Sequence, residues 1–174
     1  DRYIAWEQQR LRRLVAACGA PEDDLDAVAS DLYAAVKTFT LEAYDEVPVV
    51  LAELRSRGVT VGVCSNWDWD LDRALADAGL DGLVDHVVTS AQAGARKPHP
   101  RIYREALDGC RVEPPDALFV GDTWEPDVVG PARVGLRPVH VWRPEEKGEE
   151  APPADGVARI ADLRGVLDLI EGRH

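Results

Sequence analysis

FVGDTWEPDVVG, residues 119–130, runs a short apolar strand straight into Gly121-Asp122 and sets a second carboxylate, Asp127, five residues beyond the first. Two carboxylates at one strand end repel each other; at about 4 Å and an effective dielectric near ~20 the cost is on the order of 4 kcal/mol. A divalent cation, a basic side chain or solvation has to offset it. A strand that ends in Gly-Asp and turns into a helix belongs to an alternating pattern, and the flanking sequence supplies that pattern.

Downstream, a helix follows Asp127 and RPVHVW at 137–142 reads as the next strand. Upstream, ALFVG at 117–121 is preceded by a helix from Pro100 to Cys110, the strand HVVT at 86–89, a helix over 70–79 and the apolar run VTVGVC at 59–64. PVVLAELRSRG, beginning at Pro48, reads as a helix stopped by Gly58. RPEEKGEEAPPADG is polar and rich in Pro and Gly, hence a loop, and a last helix carries Ile160, Leu163, Val166, Leu167 and Ile170. Strands alternating with helices predict an α/β fold over 45–174: a Rossmann-like parallel sheet with helices on both faces.

Residues 1–44 differ. Ile4, Leu11, Leu14 and Val15 share a helical face, Gly19 and Pro21 mark a turn, and a second helix from Asp24 to Phe39 carries Leu25, Val28, Leu32 and Val36. An all-helical segment therefore precedes the α/β core.

The chain has 174 residues, 45% hydrophobic and 30% charged, with a net charge of −12. That charge repels a nucleic-acid backbone, and no apolar run approaches the roughly 18 residues of a membrane span, so neither nucleic acid nor membrane is an expected partner. Cys18, Cys64 and Cys110 are odd in number and lack metal-ligand spacing; they read as reduced thiols of a cytoplasmic protein, packed as small hydrophobes. Arginine far outnumbers lysine, which occurs only at 37, 97 and 147, and alanine is abundant; this suggests a GC-rich bacterial genome. The chain opens with Asp1 and contains no methionine, which suggests part of a longer translation product.

In open parallel sheets, ligands bind beyond the carboxyl ends of the strands. There the sequence offers Ser65 and Asn66 in CSNWD, Lys97 in AGARKPHP, and Asp122 and Asp127 in GDTWEPD. Singly, these are also what a capping turn, a solvated loop lysine and a helix N-cap look like. Their order, strand-SN, then K-P before a helix, then strand-GD-x4-D, resembles the second, third and fourth motifs of the haloacid dehalogenase-like hydrolase superfamily, spread over about 48–142. The helices of residues 1–44 are similar to the small cap that many members insert after their first motif.

The resemblance implies a Mg²⁺-dependent hydrolase, a phosphatase acting on a small phosphorylated metabolite. Ser65 would donate to a phosphoryl oxygen, and Lys97 would neutralise charge on the nucleophile and the transferring group. Asp122 would hold Mg²⁺, with Asp127 ligating directly or ordering its water shell. Asn66, Trp67 and Trp124 would line the substrate side, although Trp67, Trp69 and Trp124 equally suit packing between cap and core. GDTWEPD favours the metal-dependent phosphatases over the halide-releasing branch, whose fourth motif is rich in serine and asparagine.

One departure limits the resemblance. The first motif, an Asp-x-Asp strand end that supplies the nucleophile and the general acid/base, has no counterpart in these residues: Asp68 and Asp70 follow the Ser65 strand, Cys64 lies within it, and His99 is a lone loop histidine. In the family that strand lies centrally, between the Ser65 and Asp122 strands, and its loss would leave buried backbone groups unpaired at about 1–3 kcal/mol each. Three readings stay open: a longer protein, a remnant with a rebuilt sheet that binds a ligand or partner without catalysis, or a strand supplied by another chain. The oligomeric state is not legible.

Overall fold

The computed structural model describes residues 2–37, 40–148 and 156–172. The chain divides into two compact units, residues 1–40 and 41–174.

In the first unit, α1 (Arg2–Ala17) packs along α2 (Leu25–Lys37). Leu11, Val15, Leu25 and Ala29 form its buried seam, with Leu32 and Tyr33 beside it. Leu14 and Val28, expected on the buried faces, are 49% and 42% exposed; each lies at the margin of its apolar stripe. Thr38 and Phe39, where the second helix was expected to end, fall outside the described residues.

The second unit alternates α3 (Glu46–Ser56), β1 (Gly62–Ser65), α4 (Leu71–Asp77), β2 (His86–Thr89), α5 (Ser90–Ala93), α6 (Pro100–Cys110), β3 (Leu118–Gly121), α7 (Gly130–Ala132), β4 (Arg137–Val141), α8 (Pro144–Lys147), β5 (Ala158–Ile160) and α9 (Arg164–Glu171). Every strand pairing is parallel. Alternation along β3 sends Leu118 and Val120 to one face, against Val50 and Leu54 of α3 and Val166 of α9, while Phe119 joins Val88, Ile102, Tyr103 and Leu107 on the other. The sheet is thus covered on both faces, as a doubly wound core requires.

It is nevertheless in two parts: β1 pairs with β2, and β3, β4 and β5 pair in that order. β1 and β3 each have one hydrogen-bonded neighbour among the described strands, leaving a seam between them. α6 bridges that seam, touching both β1 and β2 while Tyr103 stacks edge-on against Phe119 with ring centroids 5.3 Å apart.

Three expectations about elements need correcting. The run 59–64 enters the ladder only from Gly62, because the Val61 N–H is already taken by the Asp85 carboxylate at 2.8 Å. Ile160 belongs to β5, not to the last helix, which starts at Arg164. The polar loop after β4 contains α8.

Candidate functional site

Ser65 closes β1 opposite Thr89 of β2. It is half-buried, and its hydroxyl has no hydrogen-bond partner among the described residues. Asn66 grips the loop that follows β2 and α5: its Oδ1 accepts the Lys97 N–H at 2.7 Å, and its Nδ2 donates to the Lys97 carbonyl at 3.2 Å. Asn66, expected among the substrate contacts, therefore has its amide committed to Lys97. The Trp67 carbonyl accepts from Ser90 Oγ at 3.0 Å and from the Ala91 N–H at 3.2 Å, so the backbone of the SNW turn is a bracket for the start of α5.

Held this way, Lys97 sends Nζ to within 2.7 Å of Asp127 Oδ1, with side-chain exposures of only 13% and 7%. The other Asp127 oxygen accepts the Thr123 N–H at 3.0 Å. The turn presenting Asp127, Trp124–Val129, is a wide helical turn pinned by Tyr103, whose hydroxyl donates to the Pro126 carbonyl at 2.6 Å. Gly121 makes this approach possible: a Cβ there would lie 2.5 Å from the Asp127 Cβ. His99 Nδ1 accepts the Arg101 N–H at 3.2 Å, a helix cap for α6.

Asp122 has a different partner. Lys147 Nζ donates to its Oδ2 at 2.8 Å and to its backbone carbonyl at 2.9 Å, and the Thr123 hydroxyl reaches Oδ1 at 3.3 Å. The Lys147 hydrogen bond, against the opposing effect of burial, holds the Asp122 carboxyl below the usual aspartate range. The repulsion between the two carboxylates is thus met in this structure by two separate lysines.

His140, buried on β4, completes the surroundings. Arg159 Nε–H donates to its Nδ1 at 3.3 Å, so Nε2 carries the proton and faces the Asp122 carbonyl at 3.4 Å. Burial, reinforced by nearby cations, holds the imidazole below its ordinary range, which matches this neutral form. Trp124 packs edge-on against the ring at 5.4 Å and is 38% exposed. Lys147 and His140 escaped the sequence reading. The one signal for His140 was a polar residue inside the apolar run PVHVW; for Lys147 it was the scarcity of lysine.

The donor set suits a hard dication in part. Asp122 turns two oxygens toward one cation position, now filled by an ammonium, and oxygen ligands are what Mg²⁺ prefers. Both oxygens of Asp127 are already engaged. Among the described residues no group of three or more His, Cys, Asp or Glu side chains gathers at one point, so any further ligands would be water, substrate or a segment additional to these. Cys64 offers no alternative nucleophile: burial pushes its thiol up to about 12.

The model of the haloacid dehalogenase-like hydrolases matches residues 2–135. The chain belongs to this family. Human haloacid dehalogenase-like hydrolase domain-containing protein 3 is 36% identical over 137 residues, covering 76% of this chain and 55% of that protein. Phosphoserine phosphatase from Thermus thermophilus is 36% identical over 155 residues, 88% of this chain and 60% of the relative. The chain therefore spans between half and two thirds of the length of these relatives. Among solved structures, a HAD phosphatase from Thermococcus onnurineus superposes with a TM-score of 0.68 at 20% identity, over 98% of this chain and 90% of that one; this likeness speaks for the fold. No helix among the described residues is long and apolar enough to cross a membrane.

Proposed function

We propose that this haloacid dehalogenase-like chain carries the phosphate- and metal-binding half of a Mg²⁺-dependent phosphatase active site. The observation that supports it best is the relay Asn66–Lys97–Asp127–Thr123, which ties three strand-end loops into one edge. In this reading Ser65 Oγ–H donates to a phosphoryl oxygen. Lys97, aimed by Asn66 and charge-balanced by Asp127, offsets negative charge on the transferring group; electrostatic preorganisation of this kind is the main requirement of phosphoryl transfer. Asp127 acts as the support of Lys97, and Asp122 is the residue that would hold Mg²⁺. When bound, the ion would supply charge neutralisation at the phosphoryl oxygens.

The nucleophile belongs, in the same reading, to an Asp-x-Asp strand seated in the seam between β1 and β3. It would be parallel to both and flanked by the loops of Ser65 and Asp122. Trp67 and Trp124 line the substrate side, and residues 1–44 form the cap that selects among small phosphorylated metabolites. The likeness to a relative named phosphoserine phosphatase supports phosphate-ester hydrolysis; nothing in the site singles out one ester.

The test is hydrolysis of p-nitrophenyl phosphate by the full-length protein, with and without Mg²⁺, beside Asp122→Asn. Mg²⁺-dependent turnover lost in the variant is expected. Turnover that is indifferent to the metal, or unchanged in the variant, defeats the reading.

A further inference from the structure

The segment after β4 is tethered at several points. Arg143 Nη2 reaches the buried Glu46 Oε1 at 2.5 Å, and its guanidinium lies 3.7 Å over the Tyr44 ring. Trp142 Nε1–H donates to the Gly148 carbonyl at 2.9 Å. α8 then turns Lys147 back over the sheet edge, where the Arg143 carbonyl accepts its backbone N–H at 2.9 Å. At the end of this strap one ammonium is gripped by two oxygens of Asp122, 2.8 and 2.9 Å away. A carboxylate oxygen and a carbonyl oxygen converging on one position make a small cation seat, and lysine's compact charge on a flexible stem fills it.

The side chain is free to leave. Lys147 and Asp122 are 29% and 60% exposed, so water can solvate both charges after separation, which keeps the pair weak. Arg143, in contrast, is held by a buried partner, so departure of Lys147 need move only the tail beyond it.

We propose that Lys147 is a built-in competitor for the metal position on Asp122: its ammonium neutralises the carboxylate while no divalent cation is bound and is displaced, together with the Pro144–Gly148 strap, when one arrives. This rests on the reading of Asp122 as a metal ligand. The pair interaction then subtracts from metal affinity, and by linkage the metal loosens the strap to the same extent.

Two measurements on the full-length protein test it. The first is calorimetric titration with Mg²⁺ and Mn²⁺ of the wild type, Lys147→Gln, Asp122→Asn and Arg133→Gln. The last removes an equal charge that pairs with Glu125 rather than Asp122. Lys147→Gln is expected to bind metal about fivefold tighter, the factor that ~1 kcal/mol for an exposed ion pair corresponds to, while Arg133→Gln matches the wild type and Asp122→Asn loses binding.

The second is amine acylation of the wild type, read by mass spectrometry at Lys147. Only three lysines fall within these 174 residues, and the peptide that carries Lys147 is read by itself. Metal is expected to speed modification of Lys147 severalfold, and to have no such effect in Asp122→Asn. Three results overturn the proposal while leaving Asp122 as a metal ligand: equal affinity in the wild type and Lys147→Gln, the same gain in Arg133→Gln, or acylation unmoved by metal. Absence of metal binding in the wild type and Lys147→Gln alike overturns the metal reading as well.

Discussion

Asp127→Asn isolates the buried ion pair on which the relay depends. The substitution is nearly isosteric, so it opens no cavity, and its amide oxygen can still accept the Thr123 N–H that Asp127 Oδ2 accepts at 3.0 Å. What it removes is the counter-charge of an ammonium that is only 13% exposed. Taking one partner from a buried pair costs about 3–5 kcal/mol; the retained Thr123 bond places this variant near the lower end, about 3 kcal/mol. At ~2–4 °C per kcal/mol for a chain of this size, the midpoint falls by about 6–12 °C. Lys97→Met leaves the mirror-image defect, a buried carboxylate short of its cation. The double variant leaves neither charge, so its cost should fall short of the sum by about 2 kcal/mol. Urea unfolding followed by tryptophan fluorescence suits the measurement, because four of the five tryptophans, Trp67, Trp69, Trp124 and Trp142, lie within 41–174. A loss below about 0.5 kcal/mol in Asp127→Asn, or additivity of the two single variants within that margin, refutes the reasoning.

Three further outcomes are expected. Gly121→Ala puts a methyl 2.5 Å from the Asp127 side chain and displaces the support of Lys97; phosphatase turnover should fall on the order of 100-fold, the cost of misplacing a site group by ~1 Å, with the protein still folded by circular dichroism. Glu46→Gln should cost about 3 kcal/mol near neutral pH, because Arg143 is left beside an uncharged partner. Burial by itself would raise the Glu46 pKa, but the hydrogen bond and charge of Arg143 bring it below the ordinary 4.5. A depressed carboxylate stabilises fully above its unfolded value and loses that contribution as pH falls through its folded one, so the gap between wild type and variant in urea titrations should narrow progressively as the pH is taken below the ordinary 4.5. Iodoacetamide at pH 8 should label the exposed Cys18 well before Cys64, whose thiol is held up at about 12 by burial; rapid alkylation of Cys64 in the folded protein would contradict its placement.

The strand ends were legible because each one couples an apolar run to an abrupt polar turn: VGVC into Ser65-Asn66, LFVG into Asp122. Lys97 was legible through its position before Pro98 and the α6 pattern. β5 was not. It spans three residues, and Ile160 stands at helical spacing from Leu163, Val166 and Leu167, so period alone assigns it to the helix. The contact between Lys147 and Asp122 crosses 25 residues and depends on the return of α8, which no local pattern encodes. Asn66 was recognised at its strand end, but its tie to both backbone groups of Lys97 was not, because an amide in that place looks the same in sequence whatever it meets. Leu14 and Val28 show the converse limit, since an apolar residue at the edge of a stripe carries no mark of which side it will face.

Lys97 hangs from the β1–β2 half of the core through Asn66, whereas Asp127 rides on the β3–β5 half, so their 2.7 Å contact spans the division between the two. The width of that division is consequently a mechanical input to the site. Trimming Ile102 or Tyr103, the α6 side chains buried between the two halves, would let one half drift from the other and register first as a mis-aimed ammonium, before the core itself gives way.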